Sequence, residues 1–326
     1  MRRAFIIGLC FLGMLVAIVV APFIGSTPID FGRVFSGDVA LADNVDAQIF
    51  LIARLPRALA AALVGGTLAA AGVVFQGLLR NPLATPYTLG VSAGASLGAM
   101  IAITFGAGWQ VGGVASASLV GAILAVLVVY ALATAQHRGI STTVLLLAGV
   151  TLNAFFSALI LFVQYISDFS QTFRALRWLM GDLDVASYGP ILAALPLVAV
   201  AFLGFAWLAR PLNLLTLGPE AAGARGVNVE LAQRIAFFTA SLATGAAVSV
   251  GGPIGFVGII VPHLVRLLVG ADHRVVLPAS TFFGAAFLVA CDAIARTVLA
   301  PIELPVGIIT AMIGGPFFLW LLVRKS

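Results

Sequence analysis

Arginine carries almost all of the positive charge in this 326-residue sequence: of 17 Lys and Arg residues, the single lysine is Lys325. A G-x-x-x-x-G-K-[ST] loop needs its lysine inside the loop to reach the phosphates. The chain therefore has no P-loop with which to hydrolyse ATP. H-E-x-x-H does not occur, so no zinc-peptidase helix is present. His137, His263 and His273 stand apart from one another and from Cys10 and Cys291, and no Cys/His set has metal-ligand spacing. The apolar runs carry no paired acids of the kind a proton relay uses. What remains is arginine. Arg54-Leu55-Pro56-Arg57 precedes a long small-residue stretch that ends at Gln76, and Arg296 follows Asp292 by four residues. A guanidinium is always charged and grips a carboxylate through two parallel N–H bonds. Equally, Arg296 and Asp292 are spaced to pair with each other on one helix, and Arg54 and Arg57 are placed to anchor a helix at lipid headgroups.

The elements that hold these residues are read from composition. Hydrophobic residues make up 62% of the chain and charged residues 9%, against about 45–50% and about 25% in a soluble domain. Mean hydropathy is +1.16. No soluble core of this length hides so much apolar surface, so the solvent is lipid. The 35 Gly and 15 Pro then predict closely packed and locally broken membrane helices. A pI of 9.9 does not indicate nucleic acid, because the basic residues are scattered at the ends of apolar runs rather than clustered on one face.

Apolar runs of roughly bilayer length fall at 4–24, 48–78, 89–106, 113–135, 143–166, 189–209, 232–250, 255–270, 276–298 and 305–323. The expected fold is all-α, a single polytopic membrane domain over 1–326 with ten spans. The first run follows Arg2 and Arg3 but exceeds the about 7–15 apolar residues of a signal peptide, so it reads as a retained helix. Ten spans place both termini on one side. With the termini cytoplasmic, the inner side holds eleven basic and three acidic residues and the outer side six basic and nine acidic, the asymmetry of a bacterial-type plasma membrane protein. Six outer arginines still run against that rule. Residues Val64–Gly72 and Ala243–Gly251 echo one another on spans of opposite direction, which suggests an inverted repeat.

Further along, Arg80-Asn81-Pro82-Leu83-Ala84-Thr85-Pro86 breaks the chain, and Leu89-Gly90-Val91-Ser92 resumes it. Later come Leu146-Leu147-Ala148-Gly149, Arg177-Trp178-Leu179-Met180-Gly181, Gly255-Phe256-Val257-Gly258 with Pro262-His263, and Asp272-His273-Arg274. Asp292-Ala293-Ile294-Ala295-Arg296, Glu303-Leu304-Pro305-Val306-Gly307 and Gly314-Gly315-Pro316 complete the order. This ordered set, spanning nearly the whole chain, resembles the permease family of type II ABC importers, which move ferric siderophores, haem and cobalamin.

The resemblance implies a homodimer of ten-span subunits with two cytoplasmic ABC ATPase subunits and a periplasmic substrate-binding protein, in the inner membrane among lipid and without nucleic acid. It implies no cofactor on this chain, ATP and Mg belonging to the ATPase. The positions matching the family's docking arginines are Arg54, Arg57 and Arg296. The segment from Arg210 to Leu231 resembles the coupling loop, two short helices that sit on the ATPase; it contains Leu217, Gly218, Glu220, Ala221, Ala224, Arg225 and Gly226. By the same analogy Asn81, Leu83, Thr142 and Thr143 narrow the cytoplasmic exit, although capping by Ser141 or Thr142 explains the threonines equally well. Asn153 and Gln164 on the fifth span are candidate walls of the path, or interhelical hydrogen-bond partners.

A secondary transporter or channel working without ATP is the alternative, but it needs buried ionisable groups or a filter, and the charges here lie near span ends. An intramembrane enzyme needs a nucleophile–base or metal constellation that the chain lacks. Replacing Thr142 and Thr143 with Phe is expected to slow substrate release, measured as a lower uptake rate in proteoliposomes; unchanged uptake removes both from the exit.

Overall fold

The computed structural model describes residues 2–36, 40–106, 112–135, 141–184 and 187–325; His137 lies outside them. The chain runs α1 (Arg2–Val20), a 3₁₀ turn at Ala21–Phe23, and two short helices, α2 (Phe31–Ser36) and α3 (Val45–Gln48). A π-helical stretch, Ile49–Arg54, joins α3 to α4 (Leu55–Leu79). After a 3₁₀ turn at Pro86–Leu89 come α5 (Val91–Phe105), α6 (Gly112–Thr134), α7 (Thr142–Ile166), α8 (Phe169–Leu179) and α9 (Gly189–Leu215). The remainder is α10 (Pro219–Gly223), α11 (Val229–Gly251), α12 (Val257–Val269), α13 (His273–Thr297) and α14 (Val306–Lys325). No strand occurs among the described residues. In lipid every backbone N–H and C=O must be satisfied within its own segment, and the helix does this.

Each of the ten expected spans falls on a helix. Seven of these are long and apolar enough to cross a bilayer, while Val91–Phe105, Val257–Val269 and Val306–Trp320 are shorter. The 13 residues of α12 rise only about 20 Å against a hydrocarbon core of about 30 Å. Among the described residues, length and composition thus vouch for seven crossings.

Helix α4 is the centre of the bundle. It packs on α13, α11, α12 and α9, and almost all of its side chains from Val64 to Leu79 are buried. Its sequence is Ala, Gly and Val at nearly every turn, so its neighbours approach to backbone contact. A Cβ on Gly72 would lie 2.1 Å from the Gly258 carbonyl oxygen, and one on Gly65 would lie 2.4 Å from that of Gly284. A second seam of the same kind joins α5 to α6, where a Cβ on Gly98 would sit 2.2 Å from the Ala117 oxygen. Between lipid-immersed helices apolar burial supplies little drive, and close packing of small residues replaces it. The two echoing segments, 64–72 and 243–251, lie on α4 and α11, which pack against each other. Phe75, Phe205 and Phe237 fill the space that the small residues leave.

Three features depart from the expectations. Helix α9 continues past Arg210 through Pro211 to Leu215, because the carbonyl that proline leaves free is tolerated near a helix end. The loop expected at 210–231 therefore starts at Thr216 and closes where Asn228 caps α11 by accepting from the Leu231 N–H at 3.0 Å. It holds one short helix, α10, rather than two. Finally, the polar segment 167–188 contains α8, opened by a capping box in which Asp168 accepts from the Gln171 N–H at 2.7 Å and the Gln171 side chain returns the bond. A helix this polar does not register as an apolar run.

Gly72→Val is expected to destabilise the protein by about 3 kcal/mol, seen as a lower unfolding midpoint in detergent. Gly8→Val is the control, since nothing lies within 4 Å of a Cβ there, and it should leave the midpoint in place.

Candidate functional site

The first turn of α4, the last turn of α13 and the segment leading into α14 converge at one end of the bundle. They enclose, with residues 25–27 and the C-terminal half of α8, a cavity of about 730 Å³. Arg54, Arg57, Arg177 and Arg296 line it together with Asp184 and Glu303. The π-helical stretch inserts an extra residue per turn just before α4 and ends at Arg54, so both Arg54 and Arg57 turn inward; they are 7% and 8% exposed, and Arg296 is 2% exposed.

Their partners differ. Arg57 donates through Nε to Asp292 Oδ1 at 2.9 Å and through Nη1 to Glu303 Oε2 at 2.5 Å. Arg296 lies with Nε 3.0 Å from Asp292 Oδ2 and donates to the carbonyls of Ile24 and Ala21 at 3.2 and 3.3 Å. Arg54 donates to the carbonyl oxygens of Pro22, at 3.2 Å, and Thr27. Two guanidiniums thus share two carboxylates while the third holds neutral carbonyls, and the cluster keeps one positive charge. Asp292, with its side chain 1% exposed, bridges two arginines on different helices. A buried charge of this kind is tolerable only when fully paired. Arg177, at the end of α8, faces Asp182 at 3.0 Å and Asp184 at 3.7 Å, and Arg33 faces Asp30 at 3.7 Å. Most of the arginines that offend the charge rule are therefore neutralised by acids at the same end of the protein.

Beneath the cavity three backbones touch. A Cβ on Gly307, in the first turn of α14, would lie 2.1 Å from the Met180 oxygen, and one on Gly252 would lie 2.4 Å from that of Trp178. The end of α8, the end of α11 and the start of α14 form one junction under the arginine cluster.

The opposite end carries a second polar network. Gln76 donates to the Gly258 carbonyl at 3.0 Å and accepts from Arg266. Asn213 on α9 accepts from the His273 backbone N–H at 2.8 Å and faces His273 Nδ1 at 2.7 Å, which assigns the ring proton to Nδ1. The Asn213 amide also donates to Asp272 at 2.7 Å and, with the Arg274 N–H and Arg3, holds that carboxyl below the usual range.

From this end the loop of α10 projects. Leu217 is 60% exposed, Glu220, Ala224, Arg225 and Gly226 are exposed, and Gly218 and Ala221 are half-buried. Gly218 and Gly226 take φ of 109° and 81°, which favours glycine, and buried Ala222 seats the loop against α9. Asn81 and Leu83 form a turn here, with Asn81 Oδ1 accepting from the Leu83 N–H at 2.9 Å. Thr142 and Thr143 open α7, and its cap is Ser141, which accepts from the Val144 N–H at 3.4 Å. Helix α7 packs on the 3₁₀ turn beyond Leu83, where a Cβ on Gly149 would lie 2.4 Å from the Thr88 oxygen. Asn153 and Gln164, both half-buried, lie three turns apart and so share one face of α7.

The sequence expectations did not include Asp292 and Glu303 as site residues. Asp292 had a signal in its spacing from Arg296. The pairing of Arg57 with residues 235 and 246 positions away had none.

The chain matches the FecCD transport family over residues 13–324. It is 46% identical over 269 residues to the cobalamin import system permease protein BtuC of Halobacterium salinarum, covering 82% of this chain and 72% of that protein. It is 40% identical over 287 residues to the hemin transport system permease protein HmuU of Yersinia pestis, covering 85% and 84%. A solved structure of a metal-chelate type ABC transporter in an inward-facing conformation superposes with a TM-score of 0.83 at 32% identity, covering 99% of this chain and all of that one.

Asp292→Asn should cost about 3–5 kcal/mol, the value for breaking a buried pair from one side, and lower the yield of folded protein in fluorescence-detected size exclusion. Glu303→Gln, on a side chain 38% exposed, should cost far less in the same assay.

Proposed function

The chain belongs to the FecCD transport family, and from that premise we propose that two copies of it form the translocation path for an iron chelate, haem or cobalamin. The chain is a multi-pass membrane permease subunit of an ATP-binding-cassette importer, a transporter component and not an enzyme. The family match over nearly the whole chain carries this reading. ATPase and substrate-binding partners go with the family. The relatives differ in the cargo their names state, cobalamin in one and hemin in another, so the cargo class proposed here is their common ground: a large metal chelate.

The arginine end faces outward in this proposal, in an inner membrane, with ten crossings and both termini cytoplasmic; the excess of basic residues at the other end supports that orientation. The substrate-binding protein docks its carboxylates at Arg54, Arg57 and Arg296, around the cavity of about 730 Å³. The ATPase, holding ATP and Mg, grips the exposed loop 216–228 through Leu217, Glu220 and Arg225. The homodimer forms through α7 and α14, whose exposed apolar side chains include Phe155, Leu161, Met312 and Leu319. Asn153 and Gln164 then face the shared path, and Asn81, Leu83, Thr142 and Thr143 ring its exit. ATP binding closes the two copies toward one side and hydrolysis resets them.

Proteoliposomes containing the permease, its ATPase and its binding protein are expected to take up one of ferric siderophore, haem or cobalamin only with ATP. Arg54→Glu with Arg57→Glu should reduce that uptake at least tenfold. Uptake indifferent to ATP would overturn the importer mechanism, and uptake indifferent to both substitutions would overturn the docking role.

A further inference from the structure

Asp292 and Glu303 hold the same guanidinium but differ in every other respect. Asp292 sits on α13 with its side chain 1% exposed, shared between Arg57 and Arg296. Glu303 sits in the segment between α13 and α14, with its side chain 38% exposed at the wall of the cavity. It reaches Arg57 Nη1 from the solvent side, opposite the Nε that Asp292 takes. One edge of the guanidinium is thus permanently occupied from within the bundle and the other from an accessible loop.

We propose that Glu303 occupies, in the free permease, the seat on Arg57 that a carboxylate of the docking partner takes, so that docking exchanges one carboxylate for another and releases the segment leading into α14. This rests on the docking reading given above. It goes beyond that reading by naming the internal competitor and the element that the exchange sets free.

Electrostatics favours exchange over addition. A bare Arg57 waiting for a partner would be a half-paired buried cation, and losing one partner of such a pair is costly. Adding a third carboxylate to a guanidinium that already holds two would crowd like charges. Exchange avoids both: the cation keeps two carboxylates throughout, and Glu303 moves only from a cavity wall into water. Asp292 is not exchangeable, because it is enclosed and Arg296 needs it too. The incoming carboxylate is drawn by the unshared charge of the cluster, which rests on Arg54, bound to the neutral carbonyls of Pro22 and Thr27.

The exchange has a mechanical consequence. The segment 298–305 is tied back to α13 by the Leu304 N–H donating to the Ala295 carbonyl at 3.0 Å and to α4 through Glu303. Two residues beyond that segment, Gly307 abuts the Met180 carbonyl with no room for a methyl group. Freeing Glu303 therefore loosens the start of α14 against the end of α8, whose Arg177 and Met180 line the same cavity. Docking is relayed to the two elements nearest the mouth of the path.

The test is the affinity of the co-expressed substrate-binding protein for the permease–ATPase complex in nanodiscs. Glu303→Gln removes the competitor and should tighten binding about tenfold or more. In an Arg57→Gln background the seat is gone, and Glu303→Gln should then change nothing. Unchanged or weaker binding on Glu303→Gln overturns the proposal, as does an equal gain in the Arg57→Gln background, which would show a diffuse field effect. Should Glu303→Gln fail to assemble, Glu303→Asp, which keeps the charge but shortens its reach, carries the same expectation of tighter binding. Arg54→Glu with Arg57→Glu separates the two ideas. If that pair abolishes binding while Glu303→Gln leaves it unaltered, docking stands and the exchange falls; if that pair has no effect, docking itself falls.

Discussion

Gly72 and Gly258 bring two helix backbones so close that a single added carbon on Gly72 would lie 2.1 Å from the opposing oxygen. Much else depends on that approach. It fixes α4 as an almost wholly buried rod, with its N-terminal turn in one polar cluster and Gln76 in the other. The arginines at one end and the Gln76–Arg266 contact at the other are thus carried on one helix that has no room to slide. Lipid makes this arrangement necessary, because apolar side chains gain little by leaving it and dense backbone packing is the remaining source of attraction.

Charge pairing is the second constraint, and it follows from the first. The Gly65–Gly284 approach, of the same kind, holds α4 against α13 and places Arg57 beside Asp292 and Arg296 in a poorly hydrated corner, where an unpaired charge is costly. The cluster answers with one enclosed carboxylate shared by two helices and one accessible carboxylate on a loop. The pairing of Arg177 with Asp182 and Asp184 repeats the device at the surface. A surplus of one positive charge survives, concentrated where neutral carbonyls rather than acids receive Arg54. Pairing across two helices and a net positive charge at this end are in this way produced by the same five residues.

At the far end the polar contacts serve a different purpose. Asn213 bonds both the backbone and the ring of His273 and also Asp272, so α9 and α13 are locked just where α9 runs out toward the exposed loop of α10. The coupling role proposed for that loop needs a stiff attachment, and the buried Ala222 and the Asn228 cap supply the rest of it.

Composition and the periodic return of apolar runs determined that this chain is a helical membrane protein, since 9% charged residues leave no soluble alternative. Motif order pointed to its family, and local spacing offered the Asp292–Arg296 pair and the Ser141 cap as alternatives, both acting within a turn or so of helix. The α8 helix was within reach through its Asp168–Gln171 capping box, but amphipathic and polar as it is, it lacked the apolar length by which membrane helices are found. Only the tertiary structure decided that Arg57 meets Asp292 and Glu303, that Arg54 ends on carbonyls, and that Gly307 touches Met180. These contacts join residues far apart in the chain, and no local pattern encodes them, because they are set by which helix backbones come into contact and how deeply each charge is then enclosed.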